Sequence, residues 1–335
     1  MIFINSVFIT YCLFLRRRFD YLFIFSLSFI LYHWQFYTSK IELSHNSYTI
    51  NSIAYTLVMS TNIVIIIYIL ISDLFPKKNF IIKQKKCVSS EDKLLFFASL
   101  CFTIILVIFN FEVLFKDKRY YTVNDYSISA FAGWYFVTRY AETKKFTYLI
   151  FSIPLLLFYL IIGSRAFIVF AIIAYFVNSS KSKLSLLTIF KYIIILGISC
   201  ILLVLYKFTY IHFFNNINDG LDFVYTKSTD FNYLYFTFFL AEWSTVSSNL
   251  NLSIDNIHHY NIFASTAGLF PFLSHIIHYF ESDVIFRFSV LVEKFCNPGV
   301  SYGIASSLIA EFFRGFGFFF IFPIIFNLIF LDFCY

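Results

Sequence analysis

Residues 146–177 read FTYLIFSIPLLLFYLIIGSRAFIVFAIIAYFV, an apolar run whose polar interruption is Gly163-Ser164-Arg165. As one helix the run would be roughly 48 Å long at 1.5 Å per residue, well beyond a hydrocarbon core of about 30 Å. It must therefore break. A charged side chain at mid-bilayer costs about 2.5 to 3.5 kcal/mol on insertion scales, so Arg165 belongs at a membrane face and the run divides into two spans, 146–162 and 166–177. This reading makes the chain a polytopic, all-α integral membrane protein, and the rest of the sequence extends it in both directions.

Upstream, apolar runs bounded by charge place spans at 1–15, 19–37, 52–75, 94–113 and 126–138. Downstream, the polar run from Ser179 to Lys183 turns the chain into an eighth span at about 187–206. Composition agrees: across 335 residues, 60% are hydrophobic and 13% charged, too apolar for a water-soluble domain with one core. The 50 Phe and 25 Tyr against 9 Gly and 5 Pro exclude collagen-like, disordered and low-complexity classes. The six cysteines show no CxxC spacing, so neither a disulfide framework nor a zinc knuckle is expected. The N-terminus is apolar first and basic second, the reverse of a secretory signal, and no cleavage is expected.

The net charge of +6 reads as topology rather than as nucleic-acid affinity. With Arg16 to Arg18 in the cytoplasm, strict alternation also puts loops 76–93, 139–145 and 178–191 there. These four loops together hold 15 of the 25 basic residues, while the opposite side holds 13 of the 19 acidic ones. Met1 and Arg165 then face outward, as does the late segment from Lys207 to about Gly315. The expected organisation is an N-terminal bundle of about eight spans, 1–206, an external region, 207–315, and a final membrane helix, 316–335. In total about 9 to 11 transmembrane helices are expected. Within the external region, 208–262 is polar, 262–280 dips into the membrane and 302–313 is helix-like; beyond it, 316–331 is the last span.

The most informative external stretch runs from Asn297 to Gly317, Asn-Pro-Gly-Val-Ser-Tyr-Gly-Ile-Ala-Ser-Ser-Leu-Ile-Ala-Glu-Phe-Phe-Arg-Gly-Phe-Gly. On a helix, Gly303, Ser307, Glu311 and Arg314 form one narrow small-and-polar face, with Ile304, Leu308, Ile309 and Phe312 elsewhere. Such a face suits an amphipathic helix at the outer surface. The competing reading is that Glu311 and Arg314 simply pair at i, i+3 and satisfy a helix end.

This stretch, ahead of a final span, resembles bacterial O-antigen polymerases of the Wzy type. The Gly-Ser-Arg-Ala turn at 163–166, after many Phe-rich spans and before a large external loop, is similar to the same family. The chain ends shortly after its last span, where relatives often continue into another helix. The resemblance implies a large periplasmic loop and a reaction at the periplasmic face of the bacterial inner membrane. A growing glycan is transferred from undecaprenyl pyrophosphate to the sugar end of another lipid-linked repeat unit. The implied partners are that lipid-linked oligosaccharide, membrane lipid, a chain-length regulator and a flippase, with no nucleic acid, cofactor or metal.

The leaving group departs as a pyrophosphate anion, so fixed cations matter more than a strong acid. Arg165 and Arg314 are the candidate phosphate-holding residues, since guanidinium binds phosphate oxygens bidentately; Arg165 could instead be a snorkelling interfacial anchor. Glu311, His275, His278 and Glu242 are candidate bases for the acceptor hydroxyl. Two histidines three apart without a third ligand make only a weak metal signal, and Glu281-Ser-Asp283 reads as an exposed loop pair. Ser164, Tyr302, Trp243 and Asn215 are the candidate substrate-binding residues; aromatics there can stack on sugar faces or merely anchor the interface, where Trp and Tyr are enriched. A flippase or other transporter is the alternative of another class, but its paired halves and midplane charges are not evident in the sequence. An O-antigen ligase would share the chemistry and differ in acceptor.

Overall fold

A computed structural model describes residues 1–38, 41–43, 46–75, 88–109, 127–161, 166–179, 183–230, 245–254 and 308–333. The described residues are all-α apart from a two-stranded antiparallel ribbon, β1 (Ile41–Leu43) with β2 (Asn46–Tyr48), in the register Ile41 to Tyr48. Two helices among these residues are long and apolar enough to cross a membrane, Ser52–Leu74 and the segment Leu186–Leu203. The chain forms two compact units: one comprises Met1–Arg16, Asp20–Pro76 and Phe231–Tyr335, the other Arg17–Phe19 and Lys77–Asp230.

In the first unit, α1 (Ile2–Tyr11) passes into a π turn, Cys12–Arg16, and is followed by α2 (Tyr21–Tyr32), α3 (Trp34–Thr38) and α4 (Ser52–Leu74). Each start has a local cause. The Asp20 carboxylate accepts from the Phe23 amide at 2.9 Å to cap α2, and the Asn51 side chain accepts from Ile53 and Ala54 at 2.9 and 3.3 Å to cap α4. The late chain adds α11 (Thr245–Ser253), α12 (Leu308–Phe316), a 3-10 turn at Gly317–Phe320 and α13 (Ile321–Phe333). Gly317, at φ 56°, supplies the left-handed residue that separates α12 from α13. The last apolar helix consequently begins at Ile321, later than the 316 expected from hydropathy.

Asn5 meets Asn62 while Arg16 meets Asp73, so α1 with its π turn runs parallel to α4. Ser72 near the end of α4 donates to Asp332 near the end of α13 at 2.8 Å, which brings those two C-terminal ends together. The core between them is Phe8, Leu22, Phe23, Leu57, Val58, Ile65, Ile69, Ile324 and Leu328, and the buried face of α12 is Ile309, Ala310, Phe312 and Phe313.

The second unit contains α5 (Ser90–Phe109), α6 (Ser127–Thr143), α7 (Phe146–Ile161), α8 (Ala166–Ser179), α9 (Leu186–Asn215) and α10 (Ile217–Ser228). Helices α7 and α8 cover the two halves of the 146–177 run, with α8 continuing to Ser179, and the Gly163-Ser164-Arg165 interruption lies outside the described residues. Ser89 and Asp92 form a reciprocal capping box on α5, each backbone N–H donating to the other's side chain at 3.1 Å. A Cβ on Gly133 would lie 2.9 Å from Leu156 Cδ2, so this glycine permits the close approach of α6 and α7. Around it Phe96 stacks on Phe151 with centroids 4.3 Å apart, and Phe136 stacks on Tyr148. Helix α9 does not stop near 206: residues 207–214, KFTYIHFF, hold no glycine or proline, and the helix runs on to Asn215. Asn216 then caps α10 through the Asn218 amide at 3.1 Å.

Candidate functional site

In so apolar a chain the informative side chains are the buried polar ones, because each costs free energy unless it is hydrogen-bonded. The first unit concentrates them in two places. At the C-terminal end of α4, the Arg16 guanidinium grips Asp20 through Nη1 at 2.8 Å and Nη2 at 2.6 Å, while its Nε reaches Asp73 at 2.9 Å. The Tyr11 hydroxyl donates to the same Asp73 carboxylate at 3.0 Å. Arg16 is 4% exposed and Asp20 fully buried. This forked pairing is strong and geometrically specific, and it ties the π turn to the starts and ends of its neighbours. Arg16 is thus a buried structural cation as well as a member of the basic triplet.

The other place lies toward the N-terminal half of α4. Here Asn62 donates its amide to Asn5 Oδ1 at 2.6 Å across α1 and α4, with both residues buried. The Tyr37 hydroxyl of α3 lies beside the Asn5 amide. Thr61 Oγ1 and Trp34 Nε1 are buried and have no hydrogen-bond partner; Asn5 Nδ2 and Tyr37 Oη, also buried, lie within reach of one another without ideal hydrogen-bond geometry. Every one of these atoms can donate, and none carries a charge.

Helix α11, from the late polar segment, docks at this end. Asn251 replaces a backbone partner: its Oδ1 accepts from the Asn51 amide at 2.7 Å and its Nδ2 donates to the Thr49 carbonyl at 2.9 Å. Ser247 donates to the Tyr32 carbonyl at the end of α2 at 2.7 Å. Ser248 Oγ lies 3.5 Å from Gln35 Oε1. Asn251 is 5% exposed with both ends of its amide engaged, so it serves packing.

A third polar cluster belongs to the second unit. Tyr135 and Tyr148 donate to the two oxygens of Asp92 at 2.6 and 2.7 Å. Burial pushes the Asp92 carboxyl up, but the two tyrosine hydroxyls and the Ser89 donors outweigh it and hold the group at about 2. Arg139 lies over the Tyr148 ring at 5.7 Å and pairs with Glu142 at 3.2 Å.

Of the residues singled out from sequence, Asn215 is the last residue of α9, and Glu311 and Arg314 stand three apart on α12. Ser164, Arg165, Glu242, Trp243, His275, His278 and Tyr302 lie outside the described residues. Asn5, Tyr37, Asn62 and Asn251 were missed. A detectable signal existed for two of them: Asn5 and Asn62 are lone amides inside apolar runs, where an intramembrane polar group points to a partner. Among the described residues no group of three or more His, Cys, Asp and Glu could hold a metal ion. No protein-family model, no curated protein and no solved structure matches this chain.

Proposed function

We propose that the chain is a multi-pass inner-membrane glycosyltransferase that joins undecaprenyl-pyrophosphate-linked oligosaccharide repeat units at the periplasmic face, an O-antigen polymerase. The observation that carries the reading is the stretch Asn297 to Gly317 immediately before the last apolar helix. Membrane insertion is supported by α9: its segment Leu186–Leu203 is only 6% buried, with Leu187, Ile194, Ile198 and Leu202 exposed, a surface that suits lipid and not water. Ile217, Leu221 and Tyr225 continue an exposed apolar stripe at intervals of four along α10, the pattern of a helix lying at the interface. The parallel course of α1 and α4 agrees with the alternation in which the first and third spans run in the same direction. The polymerase reading gains support from α12, an amphipathic helix with its apolar face buried and Glu311 and Arg314 one turn apart.

In the proposed reaction the acceptor hydroxyl oxygen attacks the anomeric carbon and the bond to the pyrophosphate oxygen breaks. The hydroxyl proton passes to a base drawn from Glu311, His275 and His278. The lipid pyrophosphate leaves as an anion held by Arg165 and Arg314. Ser164, Tyr302, Trp243 and Asn215 contact the sugars.

The test uses purified full-length protein in lipid nanodiscs with lipid-linked repeat units extracted from a strain lacking the gene. A ladder of longer glycans with release of undecaprenyl pyrophosphate is expected, falling about 100-fold or more in Arg314→Ala if the cation stabilises the departing charge. Unchanged lipid-linked monomer, or a full ladder from both Arg314→Ala and Arg165→Ala, overturns the site assignment.

A further inference from the structure

Several basic residues of the second unit, distant in sequence, gather at one end of it. Arg17 to Phe19 belong to this unit, where the Arg17 carbonyl accepts from the Leu184 amide at 2.9 Å, so the exposed Arg17 and Lys183 side chains issue from adjoining backbone. The Phe19 ring, fully buried, meets Phe176 of α8 and Tyr192 of α9 edge-on at 6.1 and 5.4 Å. Phe176 in turn stacks on Tyr192 at 4.4 Å, next to the exposed Lys191. On the other flank the Lys144 ammonium lies over the Tyr175 ring at 5.1 Å and donates to the Ser179 hydroxyl at 3.2 Å. A layer of aromatic rings thus joins Arg17, Lys144, Lys183 and Lys191 at the end where α6 and α8 stop and α7 and α9 start.

The three lysine charges are not spent among the described residues. Lys144 touches only a neutral hydroxyl and a ring, and neither Lys183 nor Lys191 has a carboxylate partner there. Glu142, the acidic residue closest in sequence to Lys144, pairs with Arg139 at 3.2 Å. The surroundings of Lys191 identify the kind of partner. It shares a face of α9 with Leu187, four residues before, and with Ile194 and Ile195, three and four after, all of them exposed. An ammonium on so apolar a face lays its methylenes along that surface and carries its charge to the edge of the lipid. A soluble anion leaves the apolar flank uncovered, whereas a phospholipid covers both parts, its acyl chains against the isoleucines and its phosphate at the ammonium.

We propose that Arg17, Lys144, Lys183 and Lys191 form a docking surface for the headgroups of anionic phospholipids in the leaflet on this side of the membrane. The inference rests on the membrane-insertion part of the reading above and not on glycan transfer. It goes beyond the charge bias that sets orientation, because positions as distant as 17 and 191 meet on one aromatic platform and hold a particular lipid class there.

The experiment uses the purified full chain in nanodiscs made from equal amounts of phosphatidylglycerol and phosphatidylcholine. The readout is the ratio of the two lipids still bound after transfer to neutral detergent, counted by mass spectrometry. Wild type is expected to retain phosphatidylglycerol preferentially, and to lose the preference in about 1 M salt, where the Debye length is about 3 Å. Lys191→Gln is expected to lower the preference by up to about fivefold, the factor that corresponds to about 1 kcal/mol per basic residue at an anionic surface. Lys191→Arg keeps it, and the double variant Lys183→Gln, Lys191→Gln retains the two lipids nearly equally. Equal retention by wild type, an undiminished preference in the double variant, or a preference that high salt leaves unchanged overturns the inference alone. A chain that alkaline carbonate strips from phosphatidylcholine vesicles overturns the membrane reading and this inference with it.

Discussion

Asp92 shows how a single residue serves folding twice, once in the capping box of α5 and once as the acceptor of two tyrosine hydroxyls from α6 and α7. Its carboxyl precedes the apolar body of α5, and its pKa of about 2 lies below the ordinary 3.8. A depressed carboxyl stabilises the fold at pH values above its unfolded pKa and loses that contribution as pH falls through the folded value. The stability advantage of wild type over Asp92→Asn is therefore expected to be full above pH 5 and to shrink between about pH 4 and 2, measured as the thermal midpoint of the detergent-solubilised protein. A constant difference across that range contradicts the account. The sequence gives Ser89 and Asp92 a legible cap spacing, but the tyrosines arrive from positions more than forty residues away, a pairing no local pattern encodes. Asn251 is similar: its partners at 49 and 51 are set by how α11 docks.

At the scale of elements, hydropathy identified the apolar helices well because lipid-like stretches need no partner to be recognised. The starts of α4 and α7 follow from Asn51 and the Lys144-Lys145 turn. The failures have identifiable causes. A π turn at Cys12–Arg16, a left-handed Arg17 at φ 49° and the left-handed Gly317 depend on backbone geometry that composition does not reveal. The basic triplet at 16–18 reads as a topological address, and its first member also spends its charge on Asp20 and Asp73. Breaking a buried pair on one side strands the other charge, at about 3 to 5 kcal/mol. Asp20→Ala is therefore expected to destabilise the protein by about that amount or to abolish its folding, and more severely than Asp20→Asn, which keeps the α2 cap. Chemical unfolding in detergent reads the difference; equal stability for wild type and Asp20→Ala removes the network from its structural role.

The whole molecule combines exposed apolar helices, aromatic cores in both units and a polar docking end for a late segment. Part of the Phe excess has a physical role in ring-to-ring packing: Phe96 on Phe151, Phe176 on Tyr192 at 4.4 Å, and Tyr159 on Phe167 at 4.3 Å. Among the described residues, two helices long and apolar enough to cross a membrane agree with the apolar composition. The catalytic assignment draws on motif likeness, because glycosyl transfer needs few residues and these come from distant parts of the chain. The central claim, polymerisation of lipid-linked repeat units, is tested most directly by the surface glycan of a strain lacking the gene. The account predicts lipid cores capped with a single repeat unit and full ladders restored by the wild-type gene; an unaltered ladder, or a surface carrying no repeat unit at all, would contradict it.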